Sequence, residues 1–526
     1  MASNSGSRDG QQLSRNVFQV MNQLGYSPDM VNKRRQMQKD MDIAYNKNGD
    51  RYTRITAGSK AEGITCPYES DHDRLYEDKH VACVVAPEEN SEITESEKTS
   101  TIFEMKSDHC HPGHFQLKLF KHGTVRNNWI ESSLFRAANG DTCISSDLFT
   151  TQISKHVQES MQKGWKSHAK AGPSVPRSKG IYMEDQVFSF RCLSQRAILK
   201  DWRERDRTNW PSRSLREEVI KCLPHLVPTG CKGSENFDKE WRICFIRGEL
   251  ALTCSLIEGQ YKLYVLLKLV KKSCFAPICD SVSSFIMKNI VFWLSEEYTA
   301  DFFTAENLLE TATIALTRLH KAIVDNHLPY YMIPGRNLLH NRIKHADKAQ
   351  LLETITELIQ DGPKLVMRCK RISDALSTPE ARLLQEGIKR DKLEILKLRM
   401  IKYRTEVCKP GMSHIEEMKL AWAREEYRQT QFKLMDILIP EWRCRLFSEL
   451  SSSEVKLEDF SEEEIGLIQW MKSVLREVFL TVDYPYIMEE IKLNDPNCSV
   501  QMFDEDTVLT VMGKYNLLLG RMLQQI

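Results

Sequence analysis

The stretch Ile55 to Leu75, ITAGSKAEGITCPYESDHDRL, sets a Gly-Ser pair ahead of an Asp-His-Asp triplet, with a turn-prone Cys-Pro-Tyr-Glu-Ser run between them. In a strand, residues two apart project from one face, so Asp71 and Asp73 put two carboxylates side by side. Such a pair repels itself unless a cation sits between, and hard Mg²⁺ or Mn²⁺ is held by a few carboxylates plus phosphate oxygens of a substrate. That chemistry wants a third carboxylate. Asp185 is the best candidate, because it opens the apolar strand DQVFSFRC and would lie at the end of a neighbouring strand. Gly58 and Ser59 supply the complementary half: glycine lets backbone amides approach a phosphate closely, and the hydroxyl adds a further contact to a triphosphate tail. By itself, Asp-x-Asp also marks many solvated turns, so these few residues leave both readings open.

The rest of the chain bounds the possibilities. Its 526 residues suggest about three domains, and 41% apolar with 28% charged residues is an ordinary globular composition. A net charge of +1 means that any attraction to nucleic acid must come from local basic faces. MASNSGSRDGQQ lacks the apolar core of a signal peptide, and no apolar run reaches the ~18 residues of a membrane span. Fifteen cysteines without framework spacing read as reduced thiols. A cytoplasmic protein without membrane contact is expected.

Ser27-Pro28-Asp29 reads as a helix start, with Ser as N-cap and Pro at the first helical position. The helix should run to about Tyr45 and stop at Asn48-Gly49-Asp50, with Met30, Met37, Met41 and Ala44 inward and Lys33, Arg34, Arg35 and Lys39 projecting elsewhere. Arg51 to Thr56 is β-permissive. Asp71 to Ala86 reads as a strand pair or one long bent strand, Glu88 to Thr101 as a loop, Phe115 to Phe120 as a half-buried strand, and Gln152 to Lys170 as helical. Ala171 to Gly180 reads as a linker into the strand Asp185 to Cys192. Trp241 to Phe245 is the last convincing strand. Ser283 to Glu297, Ala305 to Asp325 and Lys348 to Gln360 read as buried helices, Gly362-Pro363 as a break, and Pro379 to Lys409, Ser413 to Leu438 and Glu454 to Ile526 as charge-rich helices. The expected organisation is α+β: a core lobe over 1–214 with a mixed sheet, a helical lobe over 215–365, and a mainly helical extension over 366–526.

LGYSPDMVNKRR, ITAGSKAEGITCPYESDHDRL, WRERDRTNWPSRSL with HLVPTGCKGS, EWRICFIRGELAL, YKLYVLLK, SSFIMKNIVFWLSEE and LPYYMIPGRNLL occur in that order between Gln23 and Asn337. Together they resemble the Mab (male-abnormal) family of nucleotidyltransferase-fold proteins, which includes cyclic GMP-AMP synthase and the cGAS-like receptors. The resemblance implies a two-lobed nucleotidyltransferase. It would bind ATP, GTP or other nucleoside triphosphates, use Mg²⁺ or Mn²⁺, release pyrophosphate and make a cyclic dinucleotide messenger of innate immunity after sensing a nucleic-acid duplex. By position, Asp71, Asp73 and Asp185 match the metal ligands and catalytic acids, and Gly58 and Ser59 the phosphate loop. Lys268 matches a lysine near the phosphates, Ser284 a hydroxyl that contacts the nucleotide, Phe285 an aromatic ring stacked on the base, and Arg242 an arginine that reads the acceptor base. LGYSPDMVNKRR matches a long spine helix whose Lys33, Arg34, Arg35 and Lys39 would track duplex phosphates.

Two departures qualify the match. Val265 stands where cyclic GMP-AMP synthase has a second lysine, which bears on nucleotide choice. That enzyme also inserts a His/Cys zinc cluster where this chain has only Glu249 to Tyr261 with the lone Cys254, so double-stranded RNA becomes the favoured activator over DNA. The rival reading is a catalytically inactive member, either a nucleotide binder or an interaction scaffold, because fold does not fix function. Two further signals have bland alternatives. His109, Cys110, His111 and His114 in DHCHPGH have ligand-like chemistry, but the Pro-Gly turn reads as a loop between strands. Cys231 in TGCKGS reads as a glycine turn with no partner histidine to make the thiol a nucleophile.

Overall fold

Two strands carry the opening motif, β1 (Tyr52–Thr56) and β2 (His72–Val84). The computed structural model describes residues 2–407 except 48–50, 67–68, 87–96, 162–164 and 180–181, together with positions 420, 424, 426, 427, 429, 430 and 433. β2 is one long strand whose register shifts between Glu77 and Ala82, which resolves the alternatives for Asp71 to Ala86 in favour of a single bent strand. Its first half pairs antiparallel with β1, and its second half pairs parallel with β3 (Thr101–Lys106). The sheet continues through β4 (His114–Lys121), the hairpin β5 (Leu134–Arg136) and β6 (Thr142–Ile144), β7 (Lys166–Ser167), β8 (Val175–Lys179), β9 (Tyr182–Cys192), β10 (His225–Val227) and β11 (Glu240–Cys244). Parallel pairing of β2 with β9 closes the path β2–β3–β4–β11–β10–β9 into a ring. The sheet is therefore mixed, as expected.

Side-chain alternation sorts the two faces of β2 and β9. Asp73 lies opposite Asp185 and Leu75 opposite Val187, so both carboxylates and the apolar residues behind them share one face. Ile55, Leu75 and Val227, with Val187, Cys244 and Ile246 against them, form the apolar floor behind the carboxylates. On the other face Tyr76 stacks on Phe188 at 5.0 Å. Deeper in the sheet, Phe190 stacks on Trp241 at 4.8 Å and on Phe103 at 5.7 Å, and the Trp241 indole N–H donates to the Ile144 carbonyl. Burying each such ring stabilises the fold by roughly 2–3 kcal/mol.

Two sequence expectations change, and one helix had not been anticipated. Ala171 to Gly180 is not a bare linker, because Val175–Lys179 pairs antiparallel with β9 on one side and with β7 on the other; Pro176 and Ser174 masked the strand. The helix placed at Gln152 to Lys170 begins earlier and ends sooner, at Ser146–Glu159, with Ser145 Oγ accepting from the Leu148 N–H. The polar N-terminus forms a helix, Ala2–Met21, held by a sparse apolar stripe of Val17, Val20 and Met21. Its Phe18 carbonyl accepts from Lys262 Nζ at 2.9 Å, and the same ammonium lies 3.5 Å from the Phe18 ring centroid.

The spine helix spans Pro28–Asn46, with Ser27 Oγ accepting from the Met30 N–H as the N-cap reading requires. Its inward stripe is Met30, Val31, Arg34, Gln38, Met41 and Ala44, so Arg34 belongs to the buried side. The expected stop at Asn48-Gly49-Asp50 lies outside the described residues.

Helices Ile246–Cys254, Glu258–Val270, Ser284–Glu297, Leu308–Val324 and His345–Asp361 form the helical half of residues 1–379, close to the expected spans. Glu258–Val270 is apolar on nearly all sides and correspondingly buried. Gly362 ends the last of these with φ +54, where the Gly-Pro break was expected. The chain divides after Pro379, and a second unit begins at Glu380. Its described part is the helix Glu380–Val407, with Leu383, Leu393 and Leu396 buried but Ile401 exposed; Tyr427 packs on Met400, Tyr403 and Val407. The helices expected beyond, Ser413 to Leu438 and Glu454 to Ile526, fall outside the described residues apart from single positions between 420 and 433.

Candidate active site

Asp71, Asp73 and Asp185 converge, with one carboxylate oxygen from each lying within 4.8 Å of the others. The cause is the parallel register of β2 and β9, which sets Asp73 beside Asp185 while Asp71 leads into β2. Three carboxylates at this spacing cannot all ionise at ordinary cost. Burial, then the charges of Asp71, Asp185 and Glu62, hold the Asp73 carboxyl well above the usual carboxylate range. Asp71 and Asp185 are also raised, each mainly by burial; Lys60 and Lys268 oppose the shift at Asp71. A divalent cation removes that repulsion, so the donor set fits one.

Gly58 adopts φ +61, and a Cβ there would stand 2.0 Å from Asp73 Oδ2. Only glycine lets the loop lie directly on the carboxylate. The Ala57 N–H donates to the Asp73 carbonyl, tying the loop to its strand. Ser59 follows, and its hydroxyl accepts from Lys268 Nζ at 2.8 Å. Burial pushes the Lys268 ammonium down to about 8, and Lys272 on the next turn is pushed to the same value by burial and by Lys268. The desolvated Lys268 ammonium, bonded to Ser59 of the glycine loop, suits a polyphosphate, whose charge favours its protonated form. Lys272 had no signal in the sequence beyond its proximity to Lys268.

A buried network lies behind the loop. Lys288 Nζ is 3.1 Å from Glu62 Oε1 and 2.5 Å from Glu249 Oε2, and Tyr330 donates its hydroxyl to the other Glu249 oxygen. Burial opposes the Lys288 charge, but the two carboxylates outweigh it and its pKa rises. Glu62, Glu249 and Lys288 are far apart in sequence, which is why sequence reasoning missed them. Phe285 lies 5.0 Å from Lys288 Nζ, measured from its ring centroid, and 5.7 Å from the Tyr330 ring. Ser284 opens the same helix. Arg336 continues the chain of contacts, its guanidinium 5.1 Å from the Tyr330 ring centroid. Burial and the neighbouring Arg242 push Arg336 down to about 10. Arg242 itself keeps a buried Nε without a hydrogen-bond partner. Asp71, Asp73, Asp185, Gly58, Ser59 and Lys268 thus form one group, Ser284 and Phe285 adjoin it through Lys288, and Arg242 stands beyond Tyr330 and Arg336.

The basic face of the spine helix needs correction. Arg34 is only 3% exposed; it donates to the Gly25 carbonyl at 2.6 Å and the Gly63 carbonyl at 3.3 Å. Arg35 donates to the Glu62 carbonyl at 2.8 Å and reaches toward the Thr253 carbonyl. Both guanidiniums satisfy backbone acceptors of the loop that follows Gly58 and Ser59, so of the four expected cations only Lys33 and Lys39 are exposed. Lys33 pairs with Asp29 at 2.6 Å. Asp42 of the same helix accepts the Thr56 N–H at 2.6 Å, just before the loop. The helix therefore grips the catalytic loop at both ends.

The histidine-rich loop also reads differently in three dimensions. His109, Cys110 and His114 do not join His111 in a cluster; His111 instead meets Cys231 and His340. Cys231 does have partner histidines, against the expectation from its sequence surroundings. Burial, with the Glu240 carboxylate, holds its thiol above the ordinary value while Arg336, Arg342 and Arg242 pull it down. Among the described helices, none is long and apolar enough to cross a membrane.

Residues 261–357 match the family model described as the Mab-21 protein HhH/H2TH-like domain. The match covers Lys268, Ser284, Phe285 and Lys288, in the helical half that faces the carboxylates. No curated protein matches the chain.

Proposed function

We propose, from the Mab-21 family match over residues 261–357 and the carboxylate site beside it, that the chain is a metal-dependent nucleotidyltransferase of that family that joins two nucleoside triphosphates into a cyclic dinucleotide. The observation that carries the reading is the convergence of Asp71, Asp73 and Asp185 within 4.8 Å beneath a glycine loop. Bound Mg²⁺ or Mn²⁺ would supply charge neutralisation and activation of an acceptor hydroxyl. The three carboxylates are the groups that would hold it. Ser59 and Lys268 hold the triphosphate, Phe285 offers a ring face to a base, and Arg242 offers donors to the edge of the acceptor base. With little covalent work for the protein in phosphoryl transfer, positioning and electrostatics carry the rate.

The activator in this proposal is a nucleic-acid duplex, double-stranded RNA in first place, and innate sensing is the corresponding role. The support is the coupling of Arg34, Arg35 and Asp42 to the loop: a ligand that straightens the spine helix moves Gly58 and Ser59 with it. The rival, a catalytically inactive binder, gains from one observation, because only Lys33 and Lys39 remain exposed of the four expected cations.

The test is incubation of the purified chain with labelled ATP, GTP, UTP and CTP and Mg²⁺ or Mn²⁺, with and without duplex RNA or DNA, followed by chromatography. The proposal expects a cyclic product that depends on duplex and disappears in Asp71→Ala and Asp73→Ala. Normal nucleotide binding without product under any condition would establish the inactive binder.

A further inference from the structure

We propose that His111, Cys231 and His340 form a second metal site, a two-histidine, one-cysteine set for Zn²⁺ that is separate from the three aspartates. One ligand atom of each lies within 4.8 Å of the others, and the two imidazole centroids are 4.7 Å apart. Tetrahedral zinc, with bonds of about 2.0 Å to nitrogen and 2.3 Å to sulfur, needs its donors roughly 3.3–3.5 Å apart. Binding requires the three donors to draw together from within 4.8 Å to that spacing.

The ligands come from the β3–β4 loop, the β10–β11 loop and the segment that follows Asn337. These loops are already tied together. Asn341 Nδ2 contacts His340 Nε2 at 3.2 Å and donates to the Lys232 carbonyl at 3.2 Å, bridging the histidine to the residue after Cys231. Glu240 fixes the cysteine loop by accepting the Cys231 N–H at 2.8 Å and the Ser234 hydroxyl at 2.5 Å. The Glu240 carboxylate is thereby committed elsewhere, and the fourth position is left to water. All three ligand residues are half-buried, in keeping with an open site.

The donor chemistry selects the ion. A thiolate with two neutral imidazoles suits Zn²⁺, whereas Mg²⁺ and Mn²⁺ prefer oxygen ligands such as the aspartates. The charge of the surroundings identifies the indispensable ligand. Arg242, Arg336 and Arg342 all act on Cys231, so a cation there is repelled unless the thiolate offsets it. Zinc at this place would clamp the loops that flank Arg242.

The experiment uses the full chain, untagged, stripped with a chelator and titrated with Co²⁺, which reports a thiolate ligand through a charge-transfer band and tetrahedral geometry through intense visible bands. One equivalent producing both is expected, displaced by one equivalent of Zn²⁺. Asp71→Asn with Asp73→Asn should leave the spectrum intact, which separates this site from the aspartates. Cys231→Ser should abolish the charge-transfer band, His111→Ala and His340→Gln should each weaken Co²⁺ binding at least tenfold, and Cys110→Ser and His109→Ala should change nothing. Absence of the thiolate band in the unaltered chain overturns the proposal, as does its survival in a folded Cys231→Ser chain or its loss in Cys110→Ser.

Discussion

Asp71, Asp73 and Asp185 stand on or beside two neighbouring strands in parallel register, whereas His111, Cys231 and His340 arrive from three separate loops. The carboxylates share an apolar floor of Ile55, Leu75 and Val227, and a glycine backbone lies against them. The imidazoles and thiol rest on turns tied by Asn341 and Glu240. Backbone pairing thus brings the acids together before any ion arrives, at the cost of mutual repulsion; side-chain bonds between turns hold the second set, whose ligands do not repel one another. The difference also separates what was visible in the sequence from what was not, because a two-residue period is local and a meeting of three loops is not.

The largest effect that sharpens this contrast is on turnover. Asp73→Asn keeps the shape and removes the charge, and should lower cyclic-product formation by on the order of 10⁴-fold, or about 5 kcal/mol of barrier, in a single-turnover assay. Cys231→Ser should leave turnover within a few-fold. Equal losses in both variants would erase the distinction between the two clusters.

Next comes the support beneath the loop. Lys288→Met leaves Glu62 and Glu249 buried without their partner and should destabilise the chain by about 3–4 kcal/mol in denaturant unfolding. Restoring balance with Glu249→Gln in the same chain should recover part of that loss. No such dependence is expected around Cys231.

A smaller effect is expected at Gly58. Gly58→Ala places a Cβ against Asp73 Oδ2 and forces a non-glycine residue to φ +61, which should cost about 1–2 kcal/mol by thermal unfolding. The variant should also bind metal more weakly, since the aspartate must move.

The smallest effect is a pH dependence. Burial and like charge raise Asp73 in the fold, and burial raises Asp71 and Asp185. The metal-free native chain therefore holds protons that the unfolded chain has released. Stability tied to these groups is present below their unfolded values, about pH 4, and is lost as pH rises through the folded ones. Mg²⁺ or Mn²⁺ offsets the loss, so the ion should raise Tm more at about pH 8 than at about pH 5. Asp73→Asn should remove that difference and raise the Tm of the metal-free chain.

Much of the fold was readable because it rests on local periods. The cap at Ser27, the alternation in DHDRLYEDKH and DQVFSFRC, and the buried helices from Ser284 onward all follow from spacing within one element. The N-terminal helix was missed because its apolar stripe is sparse and is completed by contacts such as Lys262 with Phe18, far apart in sequence. Arg34 was misread for a related reason: it lies on the same helical face as Met30 and Met41, but its charge suggested solvent, and the Gly25 and Gly63 carbonyls that accept from it inside are not visible in the helix's own sequence. The aspartates were legible as a pair, and Asp185 as their complement, because the parallel pairing of β2 and β9 only continues what two strand patterns suggest. His340 meeting Cys231 depends on loop paths that no period encodes.

Titration of the full chain with Mn²⁺ in the presence of a non-hydrolysable nucleoside triphosphate, followed by electron paramagnetic resonance, tests the grip of the three aspartates most directly. Tight Mn²⁺ binding that requires the nucleotide and vanishes in Asp73→Asn is the predicted result. Unchanged Mn²⁺ uptake in that variant, or none in the unaltered chain with nucleotide bound, would contradict it.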